Sequence, residues 1–310
     1  MSQYDIITNV QGTIGMILNT LAWLVILRTK SLHNTPNYLL AYLAVVDSIL
    51  CCYLIVFSAT KMTQLPESFI GREIYCRIGF IEFLIAYSSI YALCLVTYER
   101  YIGIVHPLHY PRMMSPKKVI LIIFIASGMS FLFSTPRLFT WTASNDTCIR
   151  TDSSDTMESA LFVLFLLFGY LLPILFMGWI YYKIQATLKR SAQQLQQQNV
   201  QGAALRLFQA RQNVISMLKI VMGALFVLWT PQSLYYIFCW TEWGFFNICS
   251  GTLDVLSVVV FMHRLNSVIN PIIYIFKHKK FRKGLQDMLC CCIGRPPRPD
   301  LIGVQIAMNR

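Results

Sequence analysis

Residues 160–182 read ALFVLFLLFGYLLPILFMGWIYY, a run of 23 positions without Asp, Glu, Lys or Arg. An α-helix needs about 20 apolar residues to cross the roughly 30 Å hydrocarbon core of a bilayer. Backbone polar groups find no water in that core, so a spanning segment must satisfy them within its own helix. The stretch therefore predicts a transmembrane helix.

Six further stretches share this length and apolar character. Across all seven, Asp, Glu, Lys and Arg occur only as Asp47 in the second, Glu82 in the third and Arg264 in the seventh. Ionisable residues are costly inside a membrane, which makes these three candidate functional residues. The pattern predicts an all-α membrane protein, a seven-transmembrane helix bundle. Its spans are 6–27, 37–60, 78–98, 119–136, 160–182, 220–241 and 255–276.

The composition excludes several classes of protein. Hydrophobic residues make up 56% of the 310 positions and charged residues 13%, against about 45–50% and 25% in soluble proteins. A soluble enzyme or a disordered chain is therefore excluded. The net charge of +12 comes from basic residues in short connections between apolar runs. That distribution does not form one basic face, so no nucleic-acid partner is indicated.

The basic residues also predict the orientation of the chain. Lys and Arg concentrate in the first, third and fifth connections and after the last span, whereas the alternate connections are richer in acids. Positive charge favours the cytoplasmic side. We therefore expect an extracellular N-terminus and a cytoplasmic C-terminus. The first span has no basic segment before it and is long enough to serve as its own targeting signal.

Short motifs occur on these spans in a fixed order. They are Gly15-x-x-x-Asn19 in the first span, NYLLAYLAVVD ending at Asp47 in the second, Glu99-Arg100-Tyr101 after the third, Leu228-Trp229-Thr230-Pro231 in the sixth and Asn270-Pro271-Ile272-Ile273-Tyr274 in the seventh. With these motifs the chain resembles a rhodopsin-like (class A) G-protein-coupled receptor over nearly its whole length.

The resemblance implies a multi-pass receptor of the plasma membrane that is not an enzyme. Its partners would be a heterotrimeric G protein, an extracellular ligand and the lipid bilayer. Residues 1–289 would form the bundle with a short amphipathic eighth helix at FKHKKFRKGL, and residues 290–310 a cysteine cluster and tail.

A sodium ion is the one bound cofactor that the resemblance implies, as an allosteric ligand. Oxygen-rich side chains suit a hard cation. The alternative is a polar cluster that only holds helices together by hydrogen bonds. The residues at the matching positions are Asp47, Ser89, Asn266 and Asn270.

The resemblance also assigns residues to switching and coupling. Glu99 would pair with Arg100 at rest, and Arg100 would then contact the G protein with Leu108 nearby. On activation Tyr181 and Tyr274 would close beneath that arginine.

Trp229, beside the kink at Pro231, would act as a rotamer switch, with a plain packing role as the alternative. The family often holds the third-span arginine with an acid on the sixth span. Arg211 stands at that position, which keeps a constitutively active, ligand-independent receptor open as an alternative.

The resemblance places Glu82 of the third span and Arg264 of the seventh at positions that approach one another in the family's ligand pocket. Unpaired charges in low dielectric each cost several kcal/mol, so we expect a Glu82–Arg264 ion pair. Either a ligand's charged group breaks or bridges this pair, or the pair is a structural staple. Glu82 stands where the family's amine receptors have an aspartate, counted from Arg100. Counting from Cys76 instead would place Phe83 at that position. Further pocket candidates are Tyr87, Gln232 and Tyr236.

Ligand classes can be compared with this pocket. An opsin needs a lysine where Arg264 stands, and a catecholamine site needs serines where Phe165, Leu166 and Gly169 stand. The polar pocket favours a peptide or a small polar ligand, with an amine receptor as an alternative. A seven-helix ion pump or transporter is a remote alternative, because neither a membrane proton relay nor paired halves are visible.

The sequence also predicts disulfide bonds and covalent modifications. Cys76 and Cys148 would form the family's disulfide, and Cys239 and Cys249 offer a second. Asn145 begins a glycosylation sequon, and palmitoylation would attach to Cys290, Cys291 and Cys292. No Ser or Thr follows Tyr274, so only weak tail-dependent arrestin binding is expected. The fourth span lacks the family's tryptophan, and Phe124 or Ile125 would fill its space.

Overall fold

The computed structural model describes residues 3–60, 68–144, 147–151, 160–197, 202–240 and 253–292. Seven helical stretches in this part of the chain are long and apolar enough to cross a membrane, which confirms the expected bundle. In chain order the helices are α1 (Gln3–Arg28), α2 (Thr35–Thr60), α3 (Phe69–Arg77), α4 (Phe80–Val105), α5 (Tyr110–Met113), α6 (Pro116–Ser134), α7 (Leu172–Gln197), α8 (Ala203–Trp240), α9 (Leu253–Lys277) and α10 (Lys279–Cys292).

The third span consists of α3 and α4 with a short break between them. The side chain of Ser68 caps α3 by accepting a hydrogen bond from the backbone N–H of Gly71 at 3.0 Å. Cys76, near the end of α3, is bonded to Cys148, so the expected disulfide is confirmed. We call this end of the bundle the disulfide end.

A small hairpin lies at the disulfide end, which the sequence did not predict. Strand β1 (Trp141–Ser144) pairs antiparallel with β2 (Thr147–Arg150). Glu73 of α3 accepts hydrogen bonds from the Thr142 hydroxyl at 2.6 Å and the Ala143 backbone N–H at 3.0 Å. The disulfide and this carboxylate together fix β1 and β2 against the third span.

The fifth span is not α-helical throughout. Phe165–Leu171 forms a π-helix directly before α7, and its Phe165 and Gly169 are buried. Single π turns are uncommon and often mark functional positions. Here the wide turn directs Phe165 into the bundle, where it becomes part of the candidate site.

The first, second and seventh spans pack closely at Gly15. The side chain of Asn19 donates to the backbone carbonyls of Gly15 at 2.9 Å and Ser267 at 2.8 Å. A β-carbon on Gly15 would lie 2.5 Å from Cys51 Sγ and 3.2 Å from Val268 Cγ2. The glycine therefore permits the close approach of three helices.

The fourth span corrects one expectation. Phe124 and Ile125 are 77% and 54% exposed, so neither fills the space of the missing tryptophan. Instead the Tyr42 hydroxyl of α2 lies 3.0 Å from the Ser127 hydroxyl of α6. The helical phase of α6 turns Phe124 and Ile125 to the outside of the bundle, where a bilayer would solvate them.

The other end of the bundle carries α10 and the long extensions of α7 and α8. α7 continues to Gln197, and α8 begins at Ala203. Gly202, directly before α8, has φ +82°. Phe281 of the amphipathic α10 is 3% exposed, and its ring centroid lies 6.3 Å from that of Tyr274. The expected eighth helix is thus present, and its backbone includes Cys290, Cys291 and Cys292.

Candidate functional site

A cavity of about 520 Å³ opens among the third, fifth, sixth and seventh spans. Its size falls within the range of small-molecule sites. Five of the residues predicted for the pocket line it, and the third span supplies both Glu82 and Phe83. They are Glu82, Phe83, Gln232, Tyr236 and Arg264.

The expected ion pair joins the third and seventh spans. Arg264 Nε donates to Glu82 Oε1 at 2.8 Å, and Arg264 Nη2 donates to Glu82 Oε2 at 2.9 Å. The two side chains are 10% and 24% exposed, respectively. This two-pronged geometry is the strongest form of a carboxylate–guanidinium contact, and it confirms the pairing itself.

Tyr87 lies outside the cavity lining. It is 3% exposed and packs below the cavity, with its ring 6.3 Å from that of Phe165. α4 places it more than one helical turn beyond Glu82, on the packed side of the helix. Its expected contact with a ligand remains a prediction, and in this structure its ring packs against Phe165, which lines the cavity.

The cavity also contains residues that the sequence analysis did not select. The Arg137 guanidinium carbon lies 5.1 Å from the Phe83 ring centroid, and His263 and Phe165 complete the lining. The sequence feature that could have indicated Arg137 is its position directly after the fourth span. It is a basic residue in a connection on the side of the bundle that is otherwise lean in Lys and Arg. The signal for Phe165 was its position on the fifth span, where a catecholamine site has a serine.

Trp229 lies beneath the cavity and contacts its lining. Its ring stacks on Phe165 with centroids 6.1 Å apart and an interplanar angle of 7°. The His263 ring lies at 4.3 Å on another side. Because Trp229 is only 2% exposed, a ligand in the cavity would reach it through Phe165 and His263.

A buried polar cluster surrounds Asp47. The carboxylate accepts hydrogen bonds from the Ser89 hydroxyl at 2.8 Å and from Asn270 Nδ2 at 3.0 Å. The amide oxygens of Asn266 and Asn270 are buried and have no hydrogen-bond donor. Carboxylate, hydroxyl and amide oxygens suit a hard cation, so the donor set of the four residues fits a sodium ion.

The C-terminal end of α4 holds the second charged group of interest. Arg100 Nε lies 3.2 Å from Glu99 Oε2, an ion pair without the alignment of a hydrogen bond. The hydroxyl of Tyr110 in α5 donates to Glu99 Oε1 at 2.5 Å. Burial and the Glu99 carboxylate raise the pKa of Tyr110, so its hydroxyl remains a donor. The sequence analysis did not identify this tyrosine.

The remaining switch and coupling residues have different surroundings. Tyr274 is 1% exposed beside a small inner gap that Leu225 also lines. Tyr181 lies in a separate groove between α7 and α8, where its hydroxyl accepts from Gln185 Nε2 at 2.9 Å. Leu108 is 91% exposed. This arrangement shows Arg100 paired with Glu99, as expected of the resting receptor.

Replacing Tyr110 with Phe should raise signalling without ligand. The change leaves one buried oxygen of Glu99 without its donor, and a hydrogen bond to a charged group contributes about 1.5 kcal/mol or more. The resting Glu99–Arg100 pair is then weakened, and we expect basal G-protein activation to rise by about tenfold. Tyr182→Phe, at an exposed position of α7, is the control. Equal basal signals from the two variants would contradict a restraining role for Tyr110.

Some predicted positions lie outside the described residues. These are Asn145 and Cys249, and the side chains of Arg211, Cys239, Cys290, Cys291 and Cys292. Glycosylation, the second disulfide, palmitoylation and the missing inner acid remain predictions.

Comparison with known proteins agrees with this architecture. Residues 18–274 match the family model of the 7 transmembrane receptor (rhodopsin family). The galanin receptor type 2 of Homo sapiens is 30% identical over 292 residues, covering 92% of this chain and 72% of the relative. The trace amine-associated receptor 7a of Mus musculus is 28% identical, covering 86% and 76%.

A third relative is the GQ-coupled rhodopsin of Mizuhopecten yessoensis, 26% identical, with 91% of this chain and 59% of the relative covered. The names of the first two relatives refer to galanin and to trace amines, and the third is a rhodopsin. The seven apolar helices and the family match make this chain a multi-pass plasma-membrane protein. The chain belongs to the rhodopsin family of seven-transmembrane receptors and is not an enzyme.

Proposed function

We propose that the protein is a cell-surface receptor that transmits binding of an extracellular peptide or small polar ligand to a heterotrimeric G protein. The disulfide end would face the outside and α10 the cytosol. The excess of Lys and Arg in the connections at the α10 end supports this orientation. Membership of the family supports signalling through G proteins, and the cavity supports binding of a ligand.

The observation that carries the proposal is the contact between the cavity lining and Trp229. Phe165 and His263 each line the cavity and also touch the Trp229 ring. A ligand that displaces either ring changes the packing of the sixth span next to Pro231. Proline removes a backbone hydrogen bond within a helix and permits a bend there. Ligand binding and helix movement are thereby joined by direct contact.

The inner end would convert that movement into G-protein binding. A ligand that favours the open arrangement shifts a two-state equilibrium toward it. Arg100 would then leave Glu99, and α7 and α8 would separate to admit a helix of the G protein. Leu108, exposed beside α5, would extend the contact surface. Tyr181 and Tyr274 would move toward each other in the open state.

The polar cluster supports an allosteric role for sodium. Asp47, Ser89, Asn266 and Asn270 would hold the ion, whose positive charge would offset the buried carboxylate. Asp47 joins the second span to the third through Ser89 and to the seventh through Asn270. These hydrogen bonds stabilise the resting packing of three spans. The cluster therefore opposes opening whether it acts as a cation site or as a hydrogen-bonded staple.

The ion pair supports a ligand role for Glu82 and Arg264. Both side chains line the cavity and remain partly exposed, so a charged ligand group can reach them. The names of the relatives refer to galanin and to trace amines, and the chain can share either preference. The pairing of Glu82 with Arg264 favours a peptide or other polar ligand, because an amine would have to share the Glu82 carboxylate with a permanent cation.

The test is G-protein activation in cells, across the main G-protein subtypes, with pooled peptides and pooled amines. Arg100→Ala, expressed at the same surface level, is the control that should not activate a G protein. A response to one pool that disappears in Arg100→Ala supports the proposal and selects the ligand class. Signal at rest that no pool alters supports the constitutive alternative. A flat response from well-expressed receptor contradicts coupling.

A further inference from the structure

A groove of about 780 Å³ lies between α7 and α8 at the α10 end of the bundle. Its floor is formed by Leu188 of α7 and Ile215 of α8, which are 6% and 2% exposed. Its walls carry exposed polar side chains, which offer a bound group several hydrogen-bond donors. Those that the structure describes are Tyr182, Gln185, Lys189, Gln212, Ser216 and Lys219.

The groove opens away from the centre of the bundle. Met217 and Val221 of α8 line the small gap beside Tyr274, whereas Ser216 and Lys219 of the same helix line the groove. Because each residue advances about 100° around a helix, these two pairs lie on nearly opposite sides of α8. The groove therefore faces the surroundings of the bundle rather than its interior.

Exposed apolar side chains continue both walls toward the membrane. On α7, Leu175, Trp179 and Tyr182 follow one another at intervals of four and three residues, and on α8 Phe226 stands seven residues from Lys219. Residues at these intervals share one face of a helix. All four of the apolar and aromatic side chains are more than half exposed. Lipid acyl chains can therefore lie along a surface that leads directly into the groove.

The membrane end of the groove lies at the depth of the lipid phosphates. Tyr182 ends the apolar run of the fifth span, and Lys219 directly precedes that of the sixth. The Lys183 ammonium lies 5.8 Å from the Trp179 ring centroid, and Trp and Tyr concentrate at the boundary between hydrocarbon and headgroups. Lys219 is therefore close to the level at which a phosphodiester joins headgroup and glycerol.

Lys189 stands farther from the membrane. Seven residues separate it from Tyr182, which is about 10 Å along the axis of α7. The headgroup layer on each side of a bilayer is about 5–8 Å thick, so Lys189 lies at the aqueous margin of this layer. A phosphodiester near Lys219 does not reach that margin, but a headgroup with a second phosphate farther from the glycerol does. The phosphates of an inositol ring have this position.

The charge of the region is positive, and the parts of the chain outside the described ranges do not reverse it. Residues 183–219 contain six Lys or Arg and no Asp or Glu. Residues 277–310 contain eight Lys or Arg against Asp287 and Asp300. Apart from Asp300, the acids outside the described ranges belong to connections at the disulfide end. Basic residues beside a membrane each raise the affinity for anionic lipid about fivefold.

We propose that this groove binds the headgroup of a phosphoinositide, with the phosphodiester near Lys219 and a phosphomonoester of the inositol ring near Lys189. A phosphomonoester carries up to two negative charges, and an ammonium binds phosphate as a point charge. Gln185, Gln212 and Ser216 would donate to the oxygens of the ring and its phosphates. The inference goes beyond the proposed function. It takes from it only the cytosolic position of the α10 end, where the anionic leaflet of the plasma membrane lies.

The test follows thermal unfolding of the purified full-length receptor in detergent at rising concentrations of four probes. Dioctanoyl phosphatidylinositol 4,5-bisphosphate is the expected ligand, and dioctanoyl phosphatidylinositol has the same ring and chains without the phosphomonoesters. Dioctanoyl phosphatidylserine has a different anionic headgroup, and inositol 1,4,5-trisphosphate lacks the acyl chains. A ligand that binds the folded state raises the unfolding temperature. We expect the bisphosphate lipid to act at a roughly tenfold lower concentration than the other three probes.

Variants of the two lysines locate the binding. Lys189→Gln and Lys219→Gln should each weaken the bisphosphate lipid about fivefold, and the double variant about 30-fold. The matched control is the double variant Lys117→Gln with Lys118→Gln, at exposed positions at the start of α6. It removes two charges from the same end of the bundle but away from the groove, so it should keep the wild-type preference.

A further variant blocks the groove without a change of charge. Ala186 lines the groove, and Ala186→Phe places a ring in the space that the headgroup would fill. We expect the bisphosphate lipid to bind roughly tenfold more weakly, a loss comparable to that from one or two lysines. The unfolding temperature without lipid should stay at the wild-type value, which separates a blocked groove from a damaged fold.

Other outcomes overturn the proposal. Equal action of phosphatidylinositol and its bisphosphate would exclude the phosphomonoester contact, and equal action of the trisphosphate would exclude a lipid. Full binding by the Lys189 and Lys219 double variant, or an equal loss in the control, would exclude this groove. The readout uses neither a G protein nor an extracellular ligand. A receptor that keeps the lipid preference but fails to signal therefore refutes the proposed function alone, and the reverse result refutes the lipid site alone.

Discussion

Glu82→Gln should destabilise the receptor by about 3 kcal/mol, because removal of one partner leaves a largely buried Arg264 without its counter-charge. The variant would also leave Arg137 and Arg264 together in the cavity, with two positive charges and no carboxylate among the described lining residues. Because the Glu82 side chain is 24% exposed, we expect the loss of stability to lie at the lower end of the range for buried ion pairs.

Arg264→Gln should be less harmful than Glu82→Gln. In that variant Glu82 still faces Arg137 across the same cavity, so the lining becomes neutral. The double variant with both residues changed to Gln restores the wild-type net charge and allows an amide–amide hydrogen bond. We expect its stability to exceed that of Glu82→Gln alone, as a coupled pair requires.

Thermal unfolding of the four purified proteins, supported by surface expression in cells, gives the measurement. The expected order of stability is wild type first and Glu82→Gln last, with Arg264→Gln and the double variant between them. An equal loss in both single variants, or a larger loss in Arg264→Gln, would show that Arg137 does not share the electrostatics of this pair.

Gly15→Ala should destabilise the bundle by about 1–3 kcal/mol, the usual cost of forcing an extra methyl group into a well-packed core. The new carbon would stand 2.5 Å from Cys51 Sγ, so the Cys51 side chain must rotate or the first and second spans must separate. A separation would also strain the hydrogen bond from Asn19 to the Ser267 carbonyl, which joins the first span to the seventh.

The chain provides a matched control and a rescue. Gly178→Ala in α7 places a methyl group in open space and should be neutral or slightly stabilising, since alanine favours helices. Cys51→Ala removes the sulfur that the new methyl would meet, so Gly15→Ala combined with Cys51→Ala should recover part of the loss. Thermal unfolding of the single variants, the double variant and the control measures whether the effects of Gly15→Ala and Cys51→Ala on stability depend on each other. Additive losses would show that the contact with Cys51 does not cause the effect.

Much of the site was accessible from sequence because the ionisable residues within the spans are few. Asp47, Glu82 and Arg264 are the only ones in the seven predicted stretches, and charges in lipid must find partners. Together with the family positions at which Glu82 and Arg264 approach one another, this cost predicted the Glu82–Arg264 pair. The positions of Ser89 and Asn270 beside Asp47 came instead from the order of motifs on the spans.

The missed features depend on contacts between distant parts of the chain. Tyr110 reaches Glu99 because α5 folds back against α4, and Arg137 reaches Phe83 because the fourth span ends beside the third. Neither contact has a local pattern. The outward direction of Phe124 could not be predicted either. Because α6 is apolar on nearly all sides, the spacing of its hydrophobic residues does not distinguish the packed face from the exposed face.

The π turn at Phe165–Leu171 has a consequence for the phase of the fifth span. Each residue of an α-helix advances about 100° around the axis, and a wide turn accommodates extra chain without that advance. The two parts of the span on either side of the turn therefore keep the angles that they would have in a helix one residue shorter. Deleting one residue within the turn would keep Ile180 and Ile184 in the core, where both are fully buried. The same deletion would tighten the turn and redirect the side chains within it, Phe165 among them, so the lining of the cavity can change by a deletion while the rest of α7 stays in register.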